Sequence, residues 1–217
     1  NSKHHNTNLY HIRFILFISR TNMQMHKVPS PGDDIRKSCG FSIILDSTQV
    51  IKKVDQIPVS EEEWKIISNN FESKWNFNHC LGAIDGKHIE IIRPQDSGSY
   101  YFNNKKTFSI VLMAIENANY EFIMVDIGSN GRVSDSGVFS NTLFYKNFNE
   151  NKLKIPEPNY LPGISDKFPY VFVADDALPF SNNLMKPYPH RNLSKEKRIF
   201  NYRLSRARRI LKILLEF

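Results

Sequence analysis

The 217 residues carry 29 Lys and Arg against 22 Asp and Glu, a formal net charge of +7, with 41% hydrophobic and 12% aromatic residues. That balance excludes a disordered tail, and the length suits one sizeable α/β domain or a domain with a short extension. Positive charge is densest near the C-terminus, where Arg198, Arg203, Arg206, Arg208, Arg209 and Lys212 crowd together, which points to a polyanionic partner, nucleic acid before membrane.

No apolar run approaches the roughly 20 residues that cross a bilayer, and the patch LYHIRFILFISR is short and lacks a cleavage-like site. No membrane partner is therefore expected. Cys39 and Cys80 have neither the number nor the spacing of a disulfide framework or a zinc site. A soluble chain in a reducing compartment is expected.

Residues 1–56 are poorly patterned, and only Arg13 to Ser19 and Phe41 to Leu45 look able to pack. They read as an N-terminal extension, a degenerate DNA-binding segment being one reading of it. No pair of helices with a glycine turn is legible there.

From residue 57 to 217 the pattern becomes that of a domain. Ser60-Glu61-Glu62-Glu63 is a capping box opening a helix through Trp64, Ile66, Ile67 and Phe71. LGAIDGKHIEII (81–92) reads as a buried strand interrupted by one carboxylate, Asp85. An ionised carboxylate is costly to bury unpaired. Either Asp85-Gly86 is an Asx turn that ends the strand, or Asp85 has a hydrogen-bonded partner or a cation. Further aspartates downstream in apolar or glycine-marked settings favour the cation.

FSIVLMAIE (108–116) suits a central strand buried on both faces, and YEFIMVDIGSNG (120–131) its returning partner. Ser134 or Asp135 caps the helix that follows. A proline-marked loop, 155–169, leads to YVFVADDALPF, a short strand ending in Asp175 and Asp176. PYPH (187–190) is another loop, and a last helix runs from about Ser194 to Glu216 with Leu204, Ala207, Leu211, Leu214 and Leu215 as its apolar stripe. Carboxylates at neighbouring strand ends would converge at one sheet edge, where α/β proteins place ligand sites.

The ordered blocks IPVSEEEW, WNFNHCLGAIDGKHIEIIRP, SGSYYFNNKKTFSIVLMAI, YEFIMVDIGSNGRVSDSGVF, VFVADDALPF, LMKPYP and FNYRLSRARR resemble the Harbinger-type DDE superfamily endonucleases. These are PIF/Harbinger transposases and the nuclease-like proteins derived from them. The resemblance implies a ribonuclease H-like mixed sheet flanked by helices, and DNA cleavage with two divalent cations, Mg²⁺ or Mn²⁺. It makes Asp85, Asp135 and Asp175 the metal-binding, catalytic set, leaving Asp176 unassigned. It also implies DNA as partner, a separate Myb/SANT-like targeting protein, and nuclear localisation, with the cytoplasm as a second compartment.

One departure stands out. The family pattern SRARRxxE places a glutamate where this chain, reading SRARRILK, has Lys212. That removes an anionic ligand and adds a cation, so weak binding of the second metal and impaired catalysis are expected. Glu216, one turn further on, could substitute if the helix shifts; alternatively the lysine ammonium stands in for a cation. Arg203, Arg206 and Arg209 are the candidate DNA contacts, beside the bland reading of a solvated helix face. The chain stops just after Lys212, where the family pattern continues, so a truncated domain is expected. A noncatalytic DNA-binding or interaction protein that keeps the fold is the alternative.

Overall fold

In a computed structural model the described residues are 56–178 and 181–215, with side chains described as far as Arg209. Cys39, Glu216 and the two packable stretches of the extension lie outside them, as does the Lys212 side chain. Helix α1 (Glu61–Trp75) is followed by strands β1 (Cys80–Glu90), β2 (Ser109–Glu116) and β3 (Phe122–Asn130). Two short helices, α2 (Asp135–Asn141) and α3 (Leu143–Asn149), then lead to strands β4 (Asn159–Tyr160), β5 (Lys167–Phe168), β6 (Val171–Val173) and β7 (Leu184–Met185). Helix α4 (Lys195–Leu215) comes last.

The capping box forms with a shift of one residue. Ser60 Oγ accepts from the Glu63 N–H at 3.3 Å, and the Glu63 carboxylate accepts from the N–H of Val59, not Ser60, at 2.7 Å. Three glutamates sit in this first turn, where they favour the positive end of the helix dipole. Ser60→Ala is expected to cost about 1 kcal/mol, read as a lower urea midpoint with unchanged slope; an unchanged midpoint would show that Glu63 alone holds the turn.

Trp64 is fully buried, donating its Nε1–H to the Leu153 carbonyl at 2.7 Å and meeting Phe172 edge-on at 5.6 Å. Ile66 is a correction: it is 60% exposed. Two residues on from Trp64, it points away from the face that Trp64, Ser68 and Phe71 bury.

The main sheet has the order β3-β2-β1-β6-β7. β1, β2 and β3 pair antiparallel, while β6 pairs parallel to β1 and β7 parallel to β6. It is a mixed sheet flanked by helices, an α/β fold, as expected. β2 is buried along its whole length because it lies inside the sheet with helices on both faces. Residues of odd number on β1, such as Ala83, share a core with Ala114, Val173 and, from α4, Leu204 and Ala207. Cys80 and Leu81 apart, which lie at a register shift in the β1-β6 ladder, the alternate set, with Ile84, Met113 and Phe172, packs on Trp64 and on Phe139 and Phe144 of α2 and α3. Two elements were not read from sequence: the β4-β5 hairpin within the proline-marked loop, and β7, each only two residues per strand. Among the described residues no helix is long and apolar enough to cross a membrane.

Candidate metal and nucleic-acid site

β1 does not stop at Asp85-Gly86. It continues paired with β2 through Glu90, so the Asx-turn reading is set aside and Asp85 sits mid-strand. Ala83 pairs with Val173 across the parallel β1-β6 ladder. Two residues beyond that pair on each chain come Asp85 and Asp175, carried forward side by side on the face that α4 covers.

Arg208, on α4, closes this pair. Its Nη2 lies 3.4 Å from Asp85 Oδ1 and 3.8 Å from Asp175 Oδ2, with the arginine side chain 14% exposed. Leu204 and Ala207, both buried, anchor the helix at that level. Asp175 Oδ1 is turned the other way and accepts from the Ala177 N–H at 3.0 Å, which stiffens the loop after β6. Asp176 is exposed and outside the cluster.

Asp135 arrives from the opposite side, at the first position of α2, whose N-cap is Ser134. Its carboxylate lies against the bare backbone of Gly86: a Cβ there would be 2.7 Å from Asp135 Oδ1. Glycine is required at 86 because the carboxylate occupies the space a side chain would take. Asp135 Oδ1 is buried without a hydrogen-bond partner among the described residues. Asp85 and Asp175 thus share a guanidinium, and Asp135 stands behind the β1 backbone. Among the described residues no group of three or more His, Cys, Asp or Glu side chains is gathered tightly enough for one ion.

The electrostatics follow from that crowding. Burial raises the Asp85 carboxyl, Arg208 opposes this, and the Asp175 and Asp135 charges push it further up. Asp135 is raised by burial and pulled back by His88. His88 itself is lowered by burial, with Asp135 opposing. Its ring is fixed by a polar chain. Lys105 and Thr107 N–H groups donate to Asn103 Oδ1, and Asn103 Nδ2 donates to Ser109 Oγ at 2.8 Å. Ser109 Oγ in turn lies 2.8 Å from His88 Nδ1, a hydrogen bond whose direction follows the tautomer of the ring. His88 sits on the strand face away from Asp85, as a continuing strand requires.

A fourth acid lies beside the site. Glu116, the last residue of β2, pairs with Ala83 and is 0% exposed, with neither carboxylate oxygen bonded among the described residues. Burial raises its carboxyl well above the ordinary glutamate range, and Asp85 adds to this. Cys80 is buried, its thiol pushed far up by burial, so it offers no nucleophile.

Residues 84–215 match the model of the DDE superfamily endonuclease family. The chain belongs to that family. Over 151 residues, 69% of this chain and 37% of the relative, it is 29% identical to Protein ALP1-like of Arabidopsis thaliana. The chain thus spans just over a third of that relative's length. No solved structure matches. Both positive findings agree with the Harbinger-type resemblance carried by the ordered blocks.

For a DDE endonuclease domain the donors fit a hard divalent cation in kind. They are carboxylate oxygens, one of them an orphaned buried atom on Asp135, and the Asp85-Asp175 pair already accommodates a positive charge. Of the arginines expected to contact DNA, Arg203 and Arg209 are exposed, and Arg206 lies over the Tyr202 ring at 5.9 Å. Arg208, which was not singled out, is the one among these four that turns inward.

Proposed function

We propose that the chain is a Harbinger-type, metal-dependent DNA endonuclease domain whose catalysis is impaired in this copy by Lys212. The observation that carries this reading is the Asp85-Asp175 pair, Asp85 on β1 and Asp175 two residues past the end of the parallel strand β6, converging on the Arg208 guanidinium. Asp85, Asp175 and Asp135 would hold Mg²⁺ or Mn²⁺. Such ions, when bound, activate the attacking oxygen and stabilise the leaving one in an in-line displacement at phosphorus. The protein's own part is to keep these oxygens fixed: Asp85 by the β1-β2-β6 ladders, Asp175 by its turn, Asp135 by the glycine gap at position 86.

DNA binding is supported by the +7 net charge and by exposed aromatic rings carrying cations. Tyr202 is 64% exposed beneath Arg206, and Tyr188 is 44% exposed with Lys197 5.0 Å from its centroid. Rings of this kind stack on unpaired bases while the cations meet phosphate. A nuclear location and a Myb/SANT-like targeting partner belong to the same reading.

The second reading, a noncatalytic DNA-binding protein, is favoured by one feature: the sequence has Lys212 where the family pattern has a glutamate. Nicking of supercoiled plasmid under a Mn²⁺ or Mg²⁺ titration separates the two. The nuclease reading expects slow, cation-dependent nicking that Asp85→Asn abolishes. Salt-sensitive DNA binding without nicking at any cation concentration would establish the second reading instead.

A further inference from the structure

We propose that Arg208 is a built-in competitor for the divalent cation: its guanidinium neutralises Asp85 and Asp175 in the metal-free protein and must withdraw before they can coordinate an ion. This rests on the metal reading above and adds the residue that governs occupancy. Three observations carry it. A single terminal nitrogen of Arg208 serves both carboxylates, at 3.4 and 3.8 Å, well beyond the roughly 2.7–2.9 Å of a charge-assisted hydrogen bond. The two-pronged geometry that makes arginine-carboxylate pairs strong is not used. Arg208 Nε is buried with no hydrogen-bond partner among the described residues, so the guanidinium is poorly satisfied where it sits.

The contact is therefore one long hydrogen bond, Arg208 Nη2–H to Asp85 Oδ1 at 3.4 Å, with charge alone reaching Asp175 at 3.8 Å. A divalent ion binding the same oxygens directly, at about 2.0–2.1 Å for Mg²⁺, would replace it with a stronger interaction. The helix need not move for this, since Leu204 and Ala207 hold α4 against the sheet. Only the arginine side chain has to swing, and with 14% of it exposed it is not sealed inside the fold.

The test is Mn²⁺ titration of the full chain by calorimetry, wild type against Arg208→Gln and Arg208→Lys. Removing one positive charge from beside the ion is expected to tighten Mn²⁺ binding by at least about 10-fold in Arg208→Gln. Arg208→Lys, which keeps a positive charge, stays within about threefold of wild type. In the wild type alone, Mn²⁺ is expected to speed phenylglyoxal modification of Arg208 several-fold by peptide mass spectrometry, a readout that needs no variant to fold. Saturable Mn²⁺ binding that Asp85→Asn removes but Arg208→Gln leaves unchanged or weakens would overturn the competition and leave the metal reading standing. So would a modification rate indifferent to Mn²⁺. No saturable binding in any of these proteins would overturn both.

Discussion

Lys212→Glu is expected to raise cation-dependent nicking of supercoiled plasmid by about 100-fold or more over the parent chain. The substitution changes the local charge by two units. At about 4 Å each unit interaction is worth about 4 kcal/mol at an effective dielectric near 20, so even after most of that is lost to relaxation and solvent, a 100-fold gain, about 2.7 kcal/mol, remains. Position 212 lies within α4, one turn beyond Arg208 and about 6 Å further along the helix axis. Lys212→Gln, which removes the cation without supplying a ligand, is expected to recover only a small part of the gain. Adding Asp85→Asn to Lys212→Glu should erase it. A Lys212→Glu protein that binds Mn²⁺ normally yet nicks no faster would show that the family's last carboxylate is not the lesion.

The fold was legible where a residue pattern has a period and the site was legible where it has a motif. β2 announced itself as a continuous apolar run because both its faces are covered; α1 announced itself through Ser60 and the glutamates that follow. The short parallel strand β7 has two residues, Leu184 and Met185, too few for any period, and its pairing is set by β6 and not by its own sequence. Arg208 was hidden among neighbouring arginines that look alike in sequence. Its spacing held a clue: it falls four residues after Leu204 and next to Ala207, at the border of the apolar stripe, so it is the arginine the helix turns toward the sheet. In sequence, Gly86 explains itself at most as a turn residue, the less favoured of the two readings at Asp85-Gly86. Only the position of α2, set by long-range packing of Val138 and Phe139, shows that the missing side chain is a space for Asp135. Glu116 gave no signal at all. A glutamate at the end of an apolar strand reads as the point where the chain returns to solvent, and that it stays inside depends on the helices packed over it.

Glu116 has the clearest consequence for stability. Its carboxyl is raised by burial above the ordinary value of 4.5, so the folded chain binds its proton more tightly than the unfolded chain does. The contribution is least unfavourable below pH 4.5 and worsens as pH rises from there toward the folded value, because the fold must hold either a proton taken from increasingly alkaline solvent or an unpaired buried charge. Glu116→Leu keeps the volume and removes both demands. It is expected to stabilise the fold at pH 8 by about 1–3 kcal/mol, a rise in Tm of about 2–4 °C for each kcal/mol in a chain of this length. The gain should shrink toward pH 4.5 and level off below it, where the wild-type carboxyl is protonated in both states and only its unmet hydrogen bonds remain. Urea midpoints across pH 4.5 to 8.5 give the comparison. Because Asp85 is the second cause of the Glu116 shift, Asp85→Asn should flatten the wild-type pH dependence without removing it. A stability difference between Glu116→Leu and wild type that does not vary with pH would mean that this carboxyl finds a partner in solution and is not the isolated acid that the packing of β2 makes it.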